Sequence, residues 1–138
     1  MKEPVWVDER DALAIHGRLL ALHSGATGLR DEGLLQSALA RPRQMLAYAD
    51  APHIIDMAAA YAAGIVRNHP FVDGNKRTGF VVAVLFLELN GYRFNAPEED
   101  ATPAMLALAS GTLDETGFAA WLKANSARGG GKHPKRLR

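Results

Sequence analysis

A run of nine residues, His69-Pro70-Phe71-Val72-Asp73-Gly74-Asn75-Lys76-Arg77, holds the side-chain types that handling of phosphate requires. Gly74 can take a positive φ, which lets successive backbone N–H groups turn inward as an anion nest. The unpaired N–H groups of the helix that follows point the same way, and its dipole favours negative charge there. Lys76 and Arg77 add two cations, and the arginine fork can grip phosphate oxygens in pairs. Asp73 is the one carboxylate of the run; beside phosphates, a single carboxylate is a natural ligand for a Mg²⁺ that keeps most of its waters. His69 stands just outside the nest. Its neutral imidazole could take the proton of an attacking hydroxyl, worth roughly 10²–10⁴ in rate. Phosphoryl transfer asks mainly for positioning and charge stabilisation, so an anion cradle, a metal ligand, cations and a base are a complete set. Pro70 stiffens the turn, and Phe71 anchors it in the core.

Plainer readings compete at each position. A histidine on its own is more often structural than catalytic, and Asp-Gly on its own is usually a turn. Lys76 and Arg77 could be solvated charges, but cations at a helix N-terminus oppose the dipole, so a nearby anion explains them better. His16 and His23 are seven residues apart; a metal pair is conceivable, and two ordinary histidines are the simpler account. Asp31 reads as a helix cap, Arg41 and Arg43 as solvated, and His53 and His133 carry no signal.

The elements that must position the run follow from capping and periodicity. Val5-Trp6-Val7 is extended, and Asp8 or Asp11 caps a first helix with Leu13, His16, Leu19 and Leu20 along one face. Ser24-Gly25-Ala26-Thr27-Gly28 breaks it. Asp31 caps a second helix carrying Leu34, Leu35, Ala38 and Leu39, which Pro42 is expected to end. Ile54, Ile55, Ala58, Tyr61, Ala62, Ile65 and Val66 form one apolar stripe on a third helix, stopped at Asn68-His69-Pro70. A fourth runs from near Asn75 to Asn90-Gly91. Its residues 80–87 are apolar on every side, which predicts the most buried helix of the bundle. A brief strand at residues 92–94, a fifth helix opened by Pro97 and Glu98, and a sixth capped by Asp114 complete the domain. The fold class expected is all-α: one bundle of about six helices over residues 1–127, with a buried central helix and a basic flexible tail at 128–138.

Composition narrows the function classes. The 138 residues fit one domain, and 48% hydrophobic against 22% charged residues excludes a disordered chain. The absence of cysteine excludes disulfides, a thiolate nucleophile and Cys-ligated zinc. The first residues lack the long apolar stretch of a signal peptide, and the longest apolar run is far below the roughly 20 residues that cross a bilayer. A soluble, cytoplasmic protein without membrane contact is expected. The net charge of +1 hides an asymmetry: residues 128–138 carry five basic side chains, leaving eleven basic against fifteen acidic elsewhere. An acidic body with a short basic tail speaks against a dedicated nucleic-acid binder.

The segment HPFVDGNKRT resembles the motif of the Fic/Doc superfamily, H-x-F-x-(D/E/N)-(G/A)-N-(G/K)-R, at every fixed position. The stretch GLRDEGLLQSALARP at residues 28–42, and Leu89-Asn90-Gly91 after the apolar helix, look like its Doc (death-on-curing) branch. The likeness covers roughly residues 10–94. Carried over by position, the resemblance implies His69 as general base, Asp73 as the Mg²⁺ ligand, and Gly74, Asn75, Lys76 and Arg77 as the phosphate nest. It also implies that Arg67 meets phosphate or target, and that residues 24–30 are the flap that aligns the target segment.

Lys76 stands where adenylylating Fic proteins usually carry a second glycine, and a lysine there is typical of Doc toxins. The resemblance therefore implies an inverted ATP pose, with the γ-phosphate in the nest. It implies a phosphorylated protein as product, with a threonine of elongation factor Tu as target and blocked translation as outcome. AMP transfer by the same site, or a non-catalytic nucleotide- or partner-binding module, are the alternatives. The inhibitory pattern of many Fic proteins, (S/T)-x-x-x-E-(G/N), is not found: Glu32-Gly33 is preceded four residues earlier by Gly28. Control by a separate Phd-type antitoxin over the active site, with Arg77 as a candidate anchor, is the expectation.

Overall fold

Asp8 opens the first helix through a reciprocal capping box: its carboxylate accepts from the Asp11 N–H, and the Asp11 carboxylate accepts from the Asp8 N–H. A computed structural model of the chain, which describes residues 3–49 and 53–129, sets this helix, α1, at Glu9–His23. It is followed by α2 (Glu32–Tyr48), α3 (Ile54–Asn68), α4 (Asn75–Leu89), β1 (Tyr92–Phe94), α5 (Glu98–Ser110), α6 (Glu115–Ala124) and β2 (Ser126–Arg128). Six helices and one two-stranded sheet among the described residues make this an all-α fold. Asp31 and Asp114 cap α2 and α6 through Leu34 N and Gly117 N, as their positions predict.

Four local expectations change. Pro42 does not end α2: the helix continues to Tyr48 because Leu35, Ala38, Leu39 and Pro42 form one buried face. Packing of that face on α3 outweighs the roughly 3 kcal/mol cost of an internal proline. In α1 the inward side chains are Ala12 and His16, whereas Leu13 is 38% exposed. Arg41 and Arg43 are engaged rather than solvated: Arg41 pairs with Glu115 at 2.9 Å and donates to Ala60 O, and Arg43 lies over the Trp6 ring. The fourth concerns which helix is central. It is α3, buried at every residue from Met57 to Val66.

Small residues explain that burial. Ala58, Ala59, Ala60, Ala62, Ala63 and Gly64 let neighbouring helices come close on all sides of α3. A Cβ at Gly64 would stand 3.1 Å from the Ala38 Cβ of α2, and one at Gly79 of α4 would stand 3.3 Å from Ala62 O. On α4, Phe80, Val81 and Val84 are only half-buried, because that side of the helix floors a cleft. β1 pairs antiparallel with β2, Tyr92 opposite Arg128 and Phe94 opposite Ser126. Arg128, assigned to the tail from sequence, thus lies in a strand; residues 130–138 lie outside the described part. No described helix is long and apolar enough to cross a membrane.

Candidate active site

The run of nine residues joins the end of α3 to the start of α4, the two helices most extensively packed on one another. His69 is the C-cap of α3 and takes the left-handed conformation (φ 54°, ψ 53°), costly for a residue with a Cβ. Arg30 meets it there: Nε donates to His69 O at 2.7 Å and a terminal nitrogen donates to Asn68 O at 2.9 Å. Phe71 is fully buried, as expected of an anchor. Asn75, at the first position of α4, closes the loop. Its Oδ1 accepts from Phe71 N and its Nδ2 donates to Phe71 O, both at 2.9 Å.

Residues 24–30, the segment read as a flap, are zipped to this loop. Leu29 and Phe71 form a β-bridge, Val72 N donates to Gly28 O, and the N–H groups of Arg30 and Asp31 share Pro70 O. The Asp73 carboxylate accepts from Gly74 N at 2.8 Å and from Ala26 N at 3.3 Å. A Cβ on Gly25 (φ +132°) would stand 2.9 Å from that carboxylate, so the close approach of flap to acid depends on glycine.

Gly74 is the N-cap of α4 with φ 82°, and no side chain among the described residues caps the helix. The backbone N–H groups of Asn75, Lys76 and Arg77 accordingly have no acceptor among the described residues. Lys76 and Arg77 are exposed and form no ion pair among the described residues. All three residues, with Asp73, line a cleft of about 560 Å³. Its apolar side is built by Phe80 and Val84 of α4, Phe94 of β1, and Met105 and Leu106 of α5. One end of the cleft is a set of anion donors and the other is hydrocarbon. A phosphorylated ligand with an apolar or aromatic body has the matching character.

Gly74, Lys76, Arg77 and Asp73 are therefore brought together. Asn75 shares only its backbone N–H with the nest, since both ends of its amide are engaged with Phe71. Arg67 is drawn elsewhere, lying 3.5 Å from Glu115 of α6 and outside the cleft lining. His69 is exposed at the loop's start, also outside the lining, and its ring makes no hydrogen bond among the described residues. His23, which sequence left as an ordinary residue, does line the cleft. Arg30 was legible only as part of the flap, and nothing local marks it as a partner of His69. No three His, Cys, Asp or Glu side chains converge among the described residues. Asp73 is the one carboxylate of the cleft lining, an oxygen donor of the type that a Mg²⁺ shared with phosphates would take.

A helical bundle whose central helix, α3, is joined to α4 by this loop defines a class. Residues 6–87 match the model of the Fic/DOC family, and the chain belongs to that family. It is similar to the protein named Toxin Doc of Mycolicibacterium smegmatis, 45% identical over 73 residues, 52% of this chain and 56% of that one. It is also similar to the protein named Protein kinase doc of Escherichia phage P1, 30% identical over 93 residues, 67% of this chain and 74% of the other. The match thus spans just over half the length of the first of these relatives.

Proposed function

We propose that the chain is a toxin of the Doc type that moves the γ-phosphate of ATP to a protein hydroxyl, a threonine of elongation factor Tu, and so stops translation in the cytoplasm. The observation that carries this reading is the start of α4: three backbone N–H groups without acceptors, and two cations without ion-pair partners, among the described residues line one cleft. Cations at a helix N-terminus are unfavourable unless an anion joins them. The name of the phage P1 relative supports a kinase over a binding module.

The residues divide the work. His69 accepts the proton of the attacking hydroxyl at an imidazole nitrogen. The hydroxyl oxygen bonds to the γ-phosphorus while the bond from that phosphorus to the β–γ bridging oxygen breaks, and ADP leaves with the electron pair. The nest N–H groups, Lys76 and Arg77 hold the phosphate oxygens and balance their charge. Asp73 would hold a Mg²⁺, which when bound adds positive charge against the phosphates. The apolar wall at Phe80, Val84 and Leu106 suits the nucleoside or, when the toxin is silenced, the helix of a Phd-like antitoxin.

Mass spectrometry of purified elongation factor Tu after incubation with the protein, Mg²⁺ and ATP tests this. A phosphate on one threonine is expected, with less of it from Lys76→Gly. AMP on the factor would turn the reading to transfer of the Fic type, and an unmodified factor would remove the named target. Growth arrest on expression alone, relieved by the neighbouring antitoxin reading frame, is the companion expectation.

A further inference from the structure

We infer that His16 is a positioning residue of the phosphate nest, holding the Asp73–Gly74 peptide in the orientation that keeps a carbonyl oxygen away from the anion. This rests on the reading above that residues 73–77 bind phosphate. His16 lies on α1, 57 residues from Asp73, and is 6% exposed. Its Nε2 stands 2.8 Å from Asp73 O. A carbonyl oxygen can only accept, so Nε2 carries the hydrogen and donates it. The ring also stacks on Phe71, centroids 3.8 Å apart and planes 8° apart. Asn75 grips Phe71 by its backbone while His16 covers its ring.

The consequence follows from peptide geometry. In a planar trans peptide the C=O and N–H point in opposite directions. Turning Asp73 O toward His16 sends the Gly74 N–H the other way, where it donates to Asp73 Oδ1 at 2.8 Å. A single donor therefore sets both the backbone of the nest and the direction of the carboxylate. The bond most in need of such a restraint is this one. Glycine takes either sign of φ at little cost, so the peptide preceding Gly74 (φ 82°) can rotate unless held. After rotation the carbonyl oxygen would point to the side where the N–H and carboxylate lie, presenting negative charge to a phosphate. A Cβ on Gly74 would be 3.5 Å from Nε2 and Cδ2 of His16, so the ring also fills the space beside the glycine.

Two substitutions separate the donor from the ring. His16→Phe keeps a ring on Phe71 and loses the donor; His16→Gln keeps an N–H near the place of Nε2 and loses the stack. Amide shifts of residues 74–77 are followed by NMR as inorganic phosphate is added to the full chain, and phosphate transfer from Mg²⁺–ATP is measured in parallel. His16→Phe should bind phosphate at these amides at least about fivefold more weakly, the cost of leaving one buried acceptor without its donor. His16→Gln should stay within about threefold of wild type, and a rise in KM for ATP should follow the same order. Equal phosphate binding by His16→Phe, or equal weakness of both variants, overturns the inference. If His16→Phe does not fold, His16→Gln decides alone, by whether it keeps wild-type phosphate binding within that threefold margin. Wild-type phosphate binding that follows this pattern without any transfer would sink the kinase reading and leave the role of His16 standing; no binding by wild type sinks both.

Discussion

Arg30 is the residue whose removal best isolates the placement of His69. A left-handed histidine costs about 1–3 kcal/mol, and the two hydrogen bonds from Arg30 to the end of α3 help to hold it there. Arg30→Met should lower kcat for the proposed phosphate transfer by about tenfold through misplacement of His69, the proposed base, while the exposed site limits any loss of thermal stability to a few degrees. An unchanged kcat in steady-state kinetics would mean that the loop holds His69 without help. At this scale the loop of the candidate site was legible, because HPFVDGNKRT is contiguous and its pattern depends on local spacing. Two assignments were not. A side-chain amide can serve as a ligand or as a backbone clamp, and only the fold shows that Asn75 grips Phe71. The direction of Arg67 depends on Glu115, 48 residues away.

Among the elements, caps and breaks were readable and burial was not. Asp8, Asp31 and Asp114 act on the next few residues, so their sequence signal is complete. The strand pair was half visible: Tyr92–Phe94 has the pattern, but its partner Ser126–Arg128 lies beyond two helices. The continuation of α2 through Pro42 and the centrality of α3 are properties of packing between helices. Apolarity on every side suggested α4 as the centre, yet close approach is set by small residues, and these lie on α3. Gly64 tests this point. A valine there would press on the Ala38 Cβ and Cα, 3.1 and 3.2 Å from the first added carbon. Gly64→Val should cost about 1–3 kcal/mol by overpacking, read as a lower urea midpoint. Gly64→Ala should be milder, since helix propensity returns up to about 1 kcal/mol. A Gly64→Val variant as stable as wild type would show that α2 and α3 can separate without loss.

For the molecule as a whole, Tyr61 ties the extended N-terminal segment to the central helix, and this link carries a pH signature. Its hydroxyl accepts from Val7 N at 3.0 Å and donates to Val7 O at 3.1 Å. Burial pushes its pKa from 10.0 up to about 12. The folded state therefore holds this proton more tightly than the unfolded chain, and the stabilisation is complete below pH 10.0 and lost as pH rises through about 12. Melting temperatures over that range should fall more steeply for wild type than for Tyr61→Phe; parallel curves would show that Tyr61 does not carry the alkaline loss. Fold class and site loop were both visible in the chain, because helix caps and a contiguous loop are local features. The cleft was not, since it forms only where α4 and α5 meet around Phe94. The central claim is that this cleft and loop move phosphate from ATP with His69 as base. Its most direct test is label transfer: purified wild type and His69→Ala, each with ATP labelled at the γ- or the α-phosphate, in a host lysate with Mg²⁺. Wild type is expected to place γ label, and no α label, on a protein acceptor, with His69→Ala folded and inactive. Transfer of α label, or γ transfer undiminished in His69→Ala, would contradict it.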